Sequence, residues 1–465
     1  MLPASGPPAT TPVAARSTRP QPVSLYCGAV TRVLILLTNV FPHARGEEFI
    51  ETELPHLAAG FDRVVVASTK TREGDEITRA VPPNVEVVAT GRDLPADRRG
   101  RLLEAARGVP TLRPANLRES GTEPRRILLD ASYGSLTQRS TRALRTELLD
   151  HWDDWQLGEA TITLYSFWLH TPARTAGLIA DWLRARGATV AGVVSRAHGY
   201  DVYPDVHRAR YLPQRRATLA GVDRVFVVSR AGRESIVRTV PEAADKVEVR
   251  HLGTHDPGPV IEPSRSPFHL VSCAFLSPVK RLDRVPAIVA LLRSRGVDAR
   301  WTHIGSAADL NSFAAQTKAV LGLAEDGSDV ARFEGYVPHS ELVATYRRLR
   351  PSVLVSLSRS EGMPVNLMEG ASLGLPMVAT EVGGVPELVP SRFVDGGDPD
   401  NGWLLPVDFT DEQAADALHD LATRSDAEFA RLGQRSREIW AAGFDEAVVY
   451  PAFVRELHDL ERTPR

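Results

Sequence analysis

The chain has 465 residues, 43% of them hydrophobic, enough to bury two or three domain cores. Its 55 basic and 58 acidic side chains leave a formal charge of −3, so no global field directs it to nucleic acid, and it carries no nucleic-acid-binding motif. Two cysteines, Cys27 and Cys273, argue against a disulfide framework or a cysteine metal site and fit a reducing cytosol.

Residues 1–27 are rich in Pro, Ala, Thr and Ser with few large apolar side chains, and they are expected to form a disordered tail. No apolar run approaches the ~20 residues of a spanning helix. Arg32 interrupts the only candidate apolar stretch of a signal peptide, so a cytoplasmic protein is expected. From Val30 onward short β-rich runs alternate with helical stretches, the pattern of parallel α/β domains. The first half offers strands at Val33–Leu37, Val64–Ser68, Val85–Val88, Thr161–Tyr165, Val193–Ala197, Val225–Val228 and Val247–Arg250. Residues 97–156 are arginine-rich and helical in pattern, an insertion in a first domain spanning 28–260. Asp256 to Pro267, proline-rich and without periodicity, reads as a linker. A second domain, 261–445, restarts the pattern at His269–Ala274, Ala299–Ile304, Ala331–Glu334, Val353–Ser356, Met377–Ala379 and Trp403–Pro406. A last helix, from about Glu446 to Glu461, closes the chain.

The densest chemistry lies in Ser358-Arg359-Ser360-Glu361-Gly362-Met363-Pro364-Val365-Asn366-Leu367-Met368-Glu369-Gly370, followed by ASLGLPMVATEVGGVPELV. Two carboxylates stand eight positions apart across a strand, a tight loop and a helix from Leu367 to Leu373. Free amides at such a helix start suit an anion. One carboxylate can hold the hydroxyls of a sugar, the other those of a ribose.

EGMPVNLMEGASLGLPMVAT resembles the signature of retaining family-4 glycosyltransferases of the GT-B fold. The runs Val193–Pro213, Asp223–Glu234, His251–Gly258, Val271–Val285 and Trp301–Ser306, in that order, are similar to a subgroup that builds bacterial surface polysaccharides. The resemblance implies two Rossmann-like parallel-sheet domains facing each other across a cleft, with the last helix packing back on the first. It also implies a nucleotide-diphosphate sugar as donor and a saccharide or lipid-linked saccharide as acceptor, with no cofactor and no metal. Glu361 would hold donor-sugar hydroxyls and Glu369 the ribose. His198 would face the donor sugar, and Lys280 would meet the pyrophosphate, helped by Arg281, Ser277 and the helix start near Asn366. Gly362, Met363 and Pro364 would shape the loop, and Gly335, Tyr336 and Val337 would line the nucleotide.

Gly46 occupies the place of the family's glycine loop, although a Gly pair there is reduced to Arg45-Gly46, and a plain turn before an acidic helix start is the alternative. The family's G-R pair ahead of the lysine is Ala274-Phe275 here, which removes one expected cation. Asp398-Pro399-Asp400 has the D-x-D spacing of metal-dependent transferases but falls among Gly, Pro and Asn, so it reads as a turn. No dinucleotide fingerprint follows the first strand, against an NAD enzyme. The alternatives in function are a nucleotide-sugar epimerase and a non-catalytic nucleotide-sugar-binding protein on the same fold. Arg98, Arg99, Arg101 and Arg107 suggest weak peripheral contact with an anionic membrane; a solvated charged helix is the other reading.

Overall fold

Thirteen strands among the described residues form two sheets, and every pairing in both is parallel. The computed structural model describes residues 31–462 apart from 45, 92, 307–308 and 324–328; the expected amino-terminal tail lies outside them. The first sheet holds β1 (Arg32–Thr38), β2 (Arg63–Ser68), β3 (Val85–Ala89), β4 (Thr161–Ser166), β5 (Thr189–Ala197), β6 (Arg224–Val227) and β7 (Val247–Val249). The second holds β8 (Phe268–Cys273), β9 (Ala299–Ile304), β10 (Ala331–Gly335), β11 (Val353–Ser356), β12 (Met377–Thr380) and β13 (Gly402–Leu405). Helices cover both faces, so the central strands are buried along most of their length; Val33 to Leu37 are all fully buried.

The strand orders are β3-β2-β1-β4-β5-β6-β7 and β10-β9-β8-β11-β12-β13. Each reverses direction once, between β1 and β4 and between β8 and β11. A crevice opens at the carboxyl ends of strands where the order reverses, and ligands of such sheets bind there. The loops leaving β1, β4, β5, β8, β11 and β12 therefore lie around these two crevices.

Between β3 and β4 the chain forms helices Arg98–Gly108, Pro114–Ser120 and Pro124–Asp150. Glu104, buried in the first, accepts from Ser135 Oγ at 2.6 Å and from Arg139 at 2.6 Å in the third. Gly108 lies so close to the third that a Cβ there would stand 1.6 Å from the Ala131 carbonyl oxygen.

The Glu446–Asp459 helix returns to the first sheet. Phe453 packs edge-on to Tyr165 and Phe226 at 5.3 and 5.2 Å, and the Arg196 guanidinium lies 4.3 Å from its ring centre. Arg196 is fully buried, donates to Glu53 Oε1 at 3.1 Å and to Tyr165 Oη at 2.8 Å, and caps the Arg250 and His251 carbonyls. Such a pair adds little over a well-packed apolar core, but removing one partner costs about 3–5 kcal/mol because a charge is left buried. No helix among the described residues is long and apolar enough to cross a membrane.

Candidate active site

The loops after β5, β8 and β11 meet around a cleft of about 760 Å³ that His198, Lys280, Glu361, Gly362 and Met363 all line. Its centre is an ion pair. Lys280 Nζ, in the turn after β8, lies 2.6 Å from Glu361 Oε1, in the loop after β11, and both side chains are largely buried. The Val365–Ser372 helix begins directly behind Glu361, with Pro364 as its N-cap and no side chain capping its first turn. Asn366 is in that first turn. A lysine, a carboxylate and uncapped amides thus converge, which suits an anion flanked by hydroxyls.

Glu369, one turn further along the helix, has its own partner. His339 Nε2 approaches Glu369 Oε1 to 2.6 Å, and this bond, with Glu51 and Glu48 of the first domain adding to it, raises the His339 pKa against the pull of burial. Both carboxylates of the signature therefore meet an internal side-chain nitrogen at 2.6 Å. His339 carried no signal in the sequence, since it lies thirty positions from its partner.

His198 directly follows β5, with its ring stacked on Phe167, ring centres 4.8 Å apart. A carbonyl can only accept, so the 2.9 Å contact of Nε2 with the Phe167 oxygen places the proton on Nε2. Burial, helped by Arg196 and opposed by that carbonyl, pushes the His198 pKa down to about 3. The imidazole is neutral at pH 7 and acts as a shape and hydrogen-bonding element rather than a proton source. Asp201 fixes its loop by accepting the His198 amide and the Leu169 amide, each at 2.7 Å.

The two halves touch through glycine. A Cβ on Gly199 would stand 2.9 Å from the Gly362 amide nitrogen, and one on Gly362 would stand 2.8 Å from that of Gly199. Behind Gly362, the Gly384 amide donates to the Gly362 carbonyl at 2.7 Å, and a Cβ on Gly383 would lie 2.0 Å from the Glu361 oxygen. Farther out, Glu387 accepts the Arg230 amide at 2.8 Å and meets His251 Nε2 at 2.9 Å, tying the second domain to the first. The run VGGVPELV is thus a buttress for the Glu361 loop, a role that pairing over long separations conceals in a sequence.

Two expected donor contacts have other partners. Arg281 has a left-handed backbone (φ +51°), and its guanidinium is turned inward, donating to the carbonyls of Leu357, Val407 and Ser358 at 2.5, 2.5 and 3.1 Å. It holds the β11 loop in place and is not free to neutralise a pyrophosphate. Gly46 does have a positive φ of +114°, but its amide donates to the Glu48 carboxylate at 3.0 Å. Three further amides of the β1 loop are also taken: Glu47, buried, accepts from Asn39, Val40 and Phe41 at 3.0, 2.7 and 2.6 Å and from the Trp168 indole. An internal carboxylate fills the amide nest that the glycine loop was expected to open.

Ser277 and Arg281 border a neighbouring hollow that shares Val279 and Arg359 with the cleft. Gly335 ends β10 with φ +70°, Tyr336 is half exposed, and Val337 packs on the core. Asp398 and Asp400 diverge to separate arginines, Arg424 and Arg435, each at 3.0 Å. Among the described residues no three His, Cys, Asp or Glu side chains cluster. Cys273 is a free thiol that burial pushes up to about 12.

Residues 267–424 match the family model of the glycosyl transferases group 1. WcaL of Escherichia coli strain K12, named for colanic acid biosynthesis, is 26% identical over 285 residues, which span 59% of this chain and 66% of that protein. The amylovoran biosynthesis glycosyltransferase AmsK of Erwinia amylovora is 24% identical over 305 residues, 61% and 68% of the two chains. Among solved structures, Anabaena HepE in complex with UDP superposes with a TM-score of 0.60 at 14% identity, covering 92% of this chain and all of that one. Sucrose-phosphate synthase of Thermosynechococcus elongatus superposes at 0.61 and 16%, covering 92% and 98%. The chain has the GT-B fold of two Rossmann-like parallel-sheet domains, and the likeness to the group 1 glycosyl transferases lies in its second domain.

Proposed function

We propose that this protein transfers a sugar from a nucleoside-diphosphate sugar to a saccharide or lipid-linked saccharide, with retention of anomeric configuration, in the cytoplasmic synthesis of a surface polysaccharide. The observation that carries the reading is the Lys280–Glu361 pair beside the uncapped start of the Val365–Ser372 helix. Breaking the anomeric carbon–oxygen bond puts negative charge on the leaving diphosphate and positive charge on the sugar ring. Lys280 Nζ and the helix amides meet the first, in a cleft where charge–charge terms exceed their value in water. The Glu361 carboxylate, released from Lys280 as the diphosphate takes the ammonium, is placed for the sugar hydroxyls. Glu369 serves the ribose hydroxyls in the same way, exchanging His339 for them. Neutral His198 packs the sugar from the first domain without protonating it.

Support comes also from relatives. HepE has been solved with UDP, with UDP and glucose, and with UDP-glucose, and AmsK and WcaL are named for polysaccharide biosynthesis. The reaction needs no metal in this scheme, since Lys280 supplies the charge that a divalent ion would. The test is incubation with a panel of nucleotide sugars and simple or lipid-linked acceptors, with and without chelator. Nucleoside diphosphate released together with a new glycoside of unchanged anomeric configuration is expected in both. An epimerised donor, or binding without turnover, would refute transfer; loss of activity in chelator, restored by magnesium or manganese, would refute the metal-free scheme.

A further inference from the structure

The charges around the reaction cleft nearly cancel. Lys280 and Glu361 neutralise each other at 2.6 Å, Asp205 is paired with Arg210 at 2.7 Å, and His198 is neutral. Arg359 is the one other charged side chain that lines the cleft among the described residues. It is exposed, and no carboxylate or carbonyl among the described residues holds its guanidinium. Exposed arginines are commonly just solvated, but the backbone of this one is fixed on every side. Its amide donates at 2.8 Å to the carbonyl of Val279, the residue before Lys280, so the two cations leave neighbouring points of the β11 and β8 loops. The carbonyls just ahead of it, on Leu357 and Ser358, accept from Arg281 at 2.5 and 3.1 Å, and Ser358 accepts from Thr380 Oγ1 as well, at 2.5 Å. Arg281 thus spends its guanidinium on anchoring the stem of Arg359. Burial first, then the positive charges of Arg284 and Arg359, push the Arg281 pKa down to about 10. Arg284 is paired with Asp411 at 2.6 Å, whereas Arg281 and Arg359 are in no ion pair, a surplus of positive charge that a bound anion would relieve.

We propose that Arg359 is the second cation of the donor site and holds the β-phosphate of the nucleoside diphosphate. The assignment rests on the transferase reading above. Glu361 is assigned to the sugar and Glu369 to the ribose, with the helix start between them, so this stretch of chain runs from the sugar end of the donor to its nucleoside end. Arg359 stands at the sugar end, beside the phosphate that carries the sugar. When the anomeric carbon–oxygen bond breaks, its electron pair stays on an oxygen of that phosphate, and a guanidinium can donate to two phosphate oxygens at once. Lys280 alone would leave this charge incompletely met, because a diphosphate on Lys280 sets the Glu361 carboxylate free.

Calorimetric titration of the full chain with UDP, GDP and ADP, and with the monophosphate of whichever binds most tightly, tests the assignment. Arg359→Gln should weaken the diphosphate at least about tenfold and the monophosphate less than about threefold, since only the first presents a β-phosphate. Retained monophosphate binding also reports a folded site, and Arg359→Lys should recover most of the loss. Equal losses for the two nucleotides would move Arg359 to the α-phosphate, and unchanged affinity for both would remove it from the nucleotide; either result overturns the proposal. If affinity were unchanged but turnover fell, the arginine would belong to an anion on the sugar or the acceptor instead. An unaltered chain that binds none of the three diphosphates would refute the donor-site reading itself, whereas tight binding that ignores Arg359→Gln would refute only the role of Arg359.

Discussion

His339 Nε2 and Glu369 Oε1 are 2.6 Å apart, joining the first residue of one helix to the middle of the next. A protonated histidine at a helix start opposes the helix dipole, so the carboxylate is what makes the charge tolerable there. Glu48 and Glu51, which face it from the first domain, act in the same direction and are themselves paired with Arg79 at 3.1 and 2.9 Å.

This pair predicts a pH dependence of stability. The folded-state pKa of His339 is raised, chiefly by the bond to Glu369. Its contribution is therefore present in full below the ordinary value of about 6.5 and fades as pH rises through the raised one. His339→Gln should lower the melting temperature at pH 5.5 and leave it nearly unchanged at pH 8.5. Losses of equal size at both would show that the pair contributes no titrating energy.

A second consequence concerns the donor. If the ribose replaces His339 on Glu369, protonated His339 competes with it, and UDP affinity should rise between pH 6 and 8 by more in the unaltered chain than in His339→Gln. Comparing the two proteins removes the titration of UDP itself. Parallel affinity profiles would place the ribose elsewhere.

Lys280 and Arg281 are adjacent in sequence and opposite in role. A charge-assisted hydrogen bond contributes roughly 1.5–3 kcal/mol, so Lys280→Ala should lower kcat/KM by about ten- to a hundredfold, with the fold intact. Arg281→Ala strips three carbonyls of their donor and should lower unfolding free energy by at least about 2 kcal/mol. Urea midpoints and steady-state rates measured on both variants separate the two effects. An Arg281→Ala protein that is stable but fails to bind UDP would return Arg281 to the phosphate.

The contrast shows what the sequence could and could not disclose. β-rich runs from Val33–Leu37 to Trp403–Pro406 announced the strands, because a parallel sheet covered on both faces must be apolar along its whole length. Glu361 and Glu369 were legible because loop and helix are local, although the helix begins at Val365, ahead of the expected Leu367. The inward turn of Arg281 was not legible, because a left-handed backbone at one residue decides which way its side chain leaves the turn, and no neighbour signals it. That Glu47 and Glu48 take the amides around Gly46 was not legible, because they look like ordinary acidic residues at a helix start. Glu387 and the contact of Gly199 with Gly362 depend on how two domains meet, which no local pattern encodes.

The glutamates should separate by kinetic signature. Glu361 is assigned to the sugar, where charge develops, so Glu361→Ala should mainly lower kcat. Glu369 is assigned to the ribose, whose contacts are the same in ground and transition states, so Glu369→Ala should mainly raise the KM for donor. Small and equal effects would sink both assignments.

The last prediction uses the glycines that carry the Glu361 loop. Gly199→Ala places a methyl 2.9 Å from the Gly362 amide nitrogen and 3.2 Å from its Cα. Both are backbone atoms, so one loop must move by several tenths of an ångström and Glu361 moves with it. A displacement approaching 1 Å at a reacting group can cost about a hundredfold in rate, while the remainder of both cores is untouched. Gly199→Ala should therefore keep its melting temperature within a few degrees and lose at least about tenfold in kcat/KM. Gly383→Ala is harsher: its φ of +53° disfavours any side chain, and the Glu361 oxygen is only 2.0 Å from the new atom. It should lose both activity and more than about 1–2 kcal/mol of stability. Gly258→Ala is the control, with φ +84° but nothing within 4 Å; it should lose stability through backbone strain alone and turn over donor at the normal rate. If Gly199→Ala turned over normally while Gly258→Ala did not, the meeting of Gly199 with Gly362 would have no part in positioning Glu361.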